Sequence, residues 1–102
     1  VNKDVIKAFE LYKAASDYGH PQAMYNLAHM YYSGTGTVKN LKLAYKMFLN
    51  AKLNGINESN YFINKITQEI TPQELLVLTE EFSSLIEEKI PLPVALENNK
   101  SD

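Results

Sequence analysis

Ser16, Asp17 and His20 put a hydroxyl, a carboxylate and an imidazole into one short stretch of the chain. Acyl transfer by such a trio needs an imidazole held against the hydroxyl, an acid orienting that imidazole, and amide donors aimed at the developing oxyanion. The local pattern supplies none of these. Ser16 falls late in a helical stretch with no sharp turn to present it, so no catalysis is expected. His20 and His29 are the only histidines, they lie on either side of a helix start, and with zero cysteines no thiolate can join them in a zinc site. Gly34-Thr35-Gly36 could bring backbone amides to a phosphate, but it lacks the preceding strand and the following Gly-Lys-Ser/Thr of a phosphate loop. It reads as an inter-helix connection. Asn57-Glu58-Ser59 fits the glycosylation sequon, a pattern short enough to arise by chance. No cofactor and no metal are expected.

The totals narrow the classes further. The 102 residues suffice for one domain. A net charge of -2 with scattered lysines gives no basic stripe for nucleic acid. No apolar run reaches the roughly 18 to 20 residues that span a bilayer, and the chain does not open on a signal-peptide pattern. Cytoplasmic, periplasmic and secreted locations are all compatible with a cysteine-free composition.

The elements that must position any surface chemistry come from a repeat. With an offset of 36 residues, Lys3 returns as Lys39, Ala8 as Ala44, Ala15 as Ala51, Gly19 as Gly55 and Tyr25 as Tyr61. Near matches pair Leu11 with Met47, Tyr12 with Phe48 and Leu27 with Ile63. A period of roughly 20 to 50 residues signals stacked supersecondary units, none of which can bury its apolar face alone.

Five helices are predicted. In the first, capped by Asp4 and stopped by Gly19, Val5, Ala8, Leu11, Tyr12 and Ala15 form one stripe. The second opens at Pro21 and runs to Tyr32, with Ala23, Met24, Leu27, Ala28 and Tyr31 inward. The third, capped by Asn40 and closed by Gly55, repeats the first stripe as Leu41, Ala44, Met47, Phe48 and Ala51. A fourth, over residues 58–68, keeps Tyr61 and Ile63 in register but carries Asn60 and Asn64 at core positions, as a degenerate terminal unit does. Thr71, Pro72 and Glu74 form a capping box that starts a fifth helix reaching about Lys89, with Leu75, Leu78, Phe82, Leu85 and Ile86 on one face. Pro91 and Pro93 follow it, and the polar end of residues 91–102 reads as a flexible tail. Alanines where helices meet, with Tyr12 and Phe48 wedged between hairpins, give the small-against-large packing that close helix pairs need.

These residues resemble the Sel-one-like repeat family, relatives of the tetratricopeptide repeats with a longer loop between the two helices. Ala23, Leu27, Tyr31, Gly34 and Gly36 match one half of its pattern; Ala8, Tyr12, Ala15 and Gly19, then Ala44, Phe48, Ala51 and Gly55, match the other half twice. Asn40 stands where the family usually has Asp. The resemblance implies an all-α, right-handed superhelix of antiparallel helix pairs over residues 1–90. It comprises partial repeats at 4–19 and 57–69, a complete repeat at about 21–55 and a capping helix at 72–89.

In related tetratricopeptide folds, the concave face is lined by first-helix positions outside the core. Carried onto this chain, they are Gln22, Tyr25, Asn26, His29, Tyr32 and Ser33, whose steps of three and four place them on one side of a helix. Such a surface suits a peptide gripped by ring stacking and by hydrogen bonds to its backbone. If the face is separate from the core, alanine at Tyr25, His29 or Tyr32 should leave the melting temperature unchanged. The contrary expectation is that Tyr25 packs on Tyr61 while His29 is merely solvated. The expected function is a non-enzymatic module that binds a protein or peptide on this face. The alternative is an oligomerising end fragment, because the first helix lacks its own partner and its stripe through Leu11 and Ala15 is open. The resemblance further implies adaptor, regulatory or host-contact roles, often in bacteria.

Overall fold

The computed structural model describes residues 3–89, and of residues 82 and 84–89 the backbone alone. The tail at 91–102 and the side chains of Phe82, Leu85 and Ile86 therefore lie outside the described residues. Five helices follow in order: α1 (Lys3–Asp17), α2 (Pro21–Ser33), α3 (Leu41–Leu53), α4 (Ser59–Thr67) and α5 (Pro72–Lys89), with no strand among the described residues. The all-α solenoid class is the observed one.

The repeat is visible in the way two helices end. After α1, the amide of His20 donates to the Ala15 carbonyl at 3.2 Å and that of Gly19 to Ser16 at 2.9 Å. After α3, Ile56 donates to Ala51 at 2.9 Å and Gly55 to Lys52 at 3.0 Å. These are the paired bonds of a Schellman stop, and both glycines take positive φ, +89° and +102°. Helix starts differ. Asn40 caps α3 by accepting from the Leu43 amide at 3.0 Å, and the Thr71/Glu74 capping box is closed in both directions, at 3.0 and 3.1 Å. Asp4, the expected cap of α1, instead lies inside its first turn, because the helix is already formed at Lys3.

The core runs along α3. Ala44, Phe48 and Ala51 are fully buried, as are Ala28 on α2 and Ile66 on α4, and Leu78 brings α5 onto the same cluster. Zero exposure at three alanines lets α2, α3 and α4 approach closely, and at about 25 cal/mol per Å² this shared apolar seam is the main stabilising term. The Lys46–Glu81 ion pair at 2.7 Å joins α3 to α5, but with both partners well exposed it adds little.

Two inward expectations change. Leu11 is 64 % exposed rather than buried, because no described helix packs on that side of α1; Phe9 and Tyr12 are half-buried and Ser16 is buried. Met30 is buried although the second-helix stripe did not include it. It sits beneath the α2–α3 loop, where a Cβ on Gly36 would fall 3.0 Å from Met30 Cε, 3.1 Å from Phe9 Cβ and 2.7 Å from the Val5 carbonyl oxygen. The Gly-x-Gly connection is thus the point at which the loop lies directly on α1, and its φ of +75° adds a second demand for glycine. The amide of Asn40 closes the loop by donating to the Tyr31 carbonyl at 2.8 Å.

Candidate interaction face

Along α2, successive side chains turn by about 100°, so Gln22, Tyr25, Asn26, His29, Tyr32 and Ser33 share one side while Leu27 and Tyr31 lie opposite. The structure divides the six. Gln22 and Ser33 are exposed, and Tyr25, Asn26, His29 and Tyr32 are half-buried. Ser33 is already engaged: its hydroxyl donates to the His29 carbonyl at 2.9 Å and pairs with Thr35 Oγ1 at 2.7 Å.

The half-buried rings form a cluster with α3 and α4. Phe62 of α4 stacks on Phe48 of α3, 5.0 Å between centroids and 9° from parallel. Around this pair the α2 rings stand edge-on: His29 lies 4.3 Å from Phe62 and 5.1 Å from Phe48, Tyr25 6.3 and 5.7 Å, and Tyr32 5.8 and 6.5 Å. Tyr25 and His29 also meet edge to face at 4.6 Å. Edge-on and offset contacts are the geometries that aromatic quadrupoles favour. Tyr25 thus packs on His29, Phe48 and Phe62, and Tyr61, the residue in register with Tyr25, is 63 % exposed beside Phe62 with Lys65 Nζ 5.7 Å from its ring centre. The expectation that alanine at Tyr25, His29 or Tyr32 would leave the melting temperature unchanged does not survive this packing.

Burial also sets the chemistry of these groups. It pushes the His29 imidazole below its ordinary pKa of 6.5, favouring the neutral ring. Tyr25 is raised, first by burial and then by the nearby Glu58 carboxylate. Tyr32 is raised by burial and by Glu69, whose Oε2 accepts from its hydroxyl at 3.2 Å. Both phenols stay protonated, and the Tyr32 proton is engaged by Glu69.

A second concavity, of about 180 Å³, opens on the other side of α2 and is lined by Lys13, Ser16, Asp17, Leu27, Tyr31, Leu43, Met47 and Asn50. Sequence reading missed it, since its walls come from three helices. Among the described residues no hydrogen bond joins the side chains of Ser16, Asp17 and His20, and no three His, Cys, Asp or Glu side chains are grouped to hold a metal ion.

A family model of the Sel1 repeat matches residues 1–20 and 21–56. The chain belongs to the Sel1 repeat family. No curated protein and no solved structure gives a confident match. Sel1 repeats are non-catalytic and mediate protein–protein interaction. The second matched stretch holds α2, the Gly-x-Gly loop and α3, so the candidate face is carried by the first helix of a Sel1 unit. No described helix is long and apolar enough to cross a membrane.

Proposed function

We propose that this Sel1 chain binds an extended segment of a partner protein on the α2 face, with Gln22, Tyr25, Asn26, His29, Tyr32 and Ser33 as contact residues and Phe62 completing the ring floor. The observation that supports this most is the half-exposed aromatic cluster, edged on α2 by the uncharged polar groups of Gln22, Asn26 and Ser33. A fully buried cluster would be core alone, and a solvated one would present no apolar area. Rings that are large, rigid and tipped with a hydroxyl combine apolar contact with hydrogen bonding at little conformational cost.

Because the rings also hold helices together, the test uses substitutions at the rim. Peptides selected from a displayed random library on the full chain should lose binding about tenfold or more with Asn26→Arg or Gln22→Arg, and remain bound to Lys42→Ala on the exposed side of α3. Selected peptides indifferent to both arginines would place binding elsewhere, the concavity beside Tyr31 first.

A second reading rests on α1. Ala8, Tyr12 and Ala15 keep partial exposure where their counterparts Ala44, Phe48 and Ala51 have none, and Leu11 and Ile6 stand at 64 % and 39 %. The side of α1 that carries Ala8, Leu11 and Ala15, with Ile6 on another face, is the seat for another helix, from a further copy of the chain in the self-associating reading. Sedimentation velocity decides: a concentration-dependent dimer abolished by Leu11→Lys supports it, and a monomer throughout rejects it.

A further inference from the structure

Helix α2 contains no Asp, Glu, Lys or Arg among residues 21–33, and the carboxylates that act on its tyrosines come from the flanks of α4. There the arrangement has two ends. Glu58 immediately precedes α4 and acts on the Tyr25 phenol near the start of α2; Glu69 follows α4 and accepts from Tyr32 near the end of α2. The two helices therefore run side by side in the same direction, with a strip of rings between them and a carboxylate at each end. Tyr25 and Tyr32 are seven residues apart, which is about 10 Å of helix, and the two glutamates stand about 15 Å apart along α4. Both glutamates are exposed, so each carboxylate has lone pairs left for a partner.

We propose that the α2–α4 groove recognises an extended segment carrying two basic side chains about four residues apart, one docking at Tyr25 and Glu58 and the other at Tyr32 and Glu69. This rests on the α2-face reading and names its partner class. Aromatic faces attract cations, and a carboxylate beside the ring adds a charged acceptor suited to guanidinium. Four extended residues span about 13 Å, between the two separations above. The cation already on this strip, Lys65, is drawn to the outer ring of Tyr61, which leaves the Tyr25 and Tyr32 ends to the ligand. A segment ending in acidic groups would meet two like charges here and no cation on α2.

The test is a chemical-shift titration of the full 102-residue chain with a capped heptapeptide bearing arginines at its second and sixth positions and serine and glycine elsewhere. Saturable shifts at Asn26, Tyr32, Phe62 and Glu69 are expected, weakened about tenfold in the double variant Glu58→Gln, Glu69→Gln and about threefold when the arginines are adjacent. Glutamine retains an acceptor for the Tyr32 hydroxyl, so the double variant tests charge without loosening the rings. Equal or tighter binding of the same peptide with glutamates or serines in place of arginine, or no loss in the double variant, overturns the basic-segment inference while the groove stands. Shifts elsewhere, or none with any of the three peptides, overturn both readings.

Discussion

The ring of Phe62 lies flat on the ring of Phe48, centroids 5.0 Å apart, and this stack fastens α4 to the fully buried centre of α3. It also forms the floor against which Tyr25, His29 and Tyr32 stand, so the face proposed for binding and the joint between repeats are one structure. In a double-mutant cycle with Phe48→Leu and Phe62→Leu, the double variant should lose about 1 kcal/mol less than the sum of the separate losses, read from urea unfolding. Additive losses would mean that the rings are neighbours without mutual attraction.

That joint marks the limit of what the residue pattern discloses. The 36-residue offset predicts α1, α2 and α3 well because the same Ala-to-Gly spacing builds the same Schellman stop twice, at Ala15–Gly19 and Ala51–Gly55. The same offset pairs Tyr25 with Tyr61, yet the α4 ring that meets Tyr25 is that of Phe62. Helix α4 has only nine residues and starts after Glu58, which is itself helical at φ -59° and makes no side-chain cap. Without a shared cap, matching residue types no longer guarantee matching rotation about the helix axis. Leu11 fails for a different reason: periodicity identifies a stripe, but only a neighbouring helix can bury it.

Gly36 and Gly19 both adopt positive φ, +75° and +89°, but only Gly36 is crowded. Gly19→Ala meets nothing within 4 Å and should cost about 1 to 2 kcal/mol, the left-handed penalty alone. Gly36→Ala adds a Cβ 2.7 Å from the Val5 carbonyl, forcing the loop off α1, and should cost roughly 2 to 5 kcal/mol with the α1 amides losing hydrogen-exchange protection first. Equal destabilisation by the two substitutions would show that the loop does not rest on α1.

Ser59 is fully buried and its hydroxyl has no hydrogen-bond partner. It occupies the position 36 residues after Ala23, where the preceding unit has a methyl group. Ser59→Ala removes an unsatisfied group without changing the volume much, so it should raise stability by about 1 kcal/mol and shift the urea midpoint upward at unchanged slope. A loss of stability would reveal that the hydroxyl is bonded in solution.

His29 connects the ring cluster to pH. Burial among Tyr25, Phe48 and Phe62 holds its folded-state pKa below the ordinary 6.5, so between the two values the unfolded chain binds more protons than the folded one. Its contribution is therefore complete above the unfolded value and is lost as pH falls through 6.5 towards the folded one. The phenyl ring in His29→Phe fills the same space and cannot be protonated. Urea midpoints at about pH 7.5 and about pH 5.5 should show a larger fall in the parent chain than in His29→Phe, with α4 amides the first to lose protection at the lower pH. If the two fall in parallel, the acid loss belongs to other groups and the imidazole is hydrated in place.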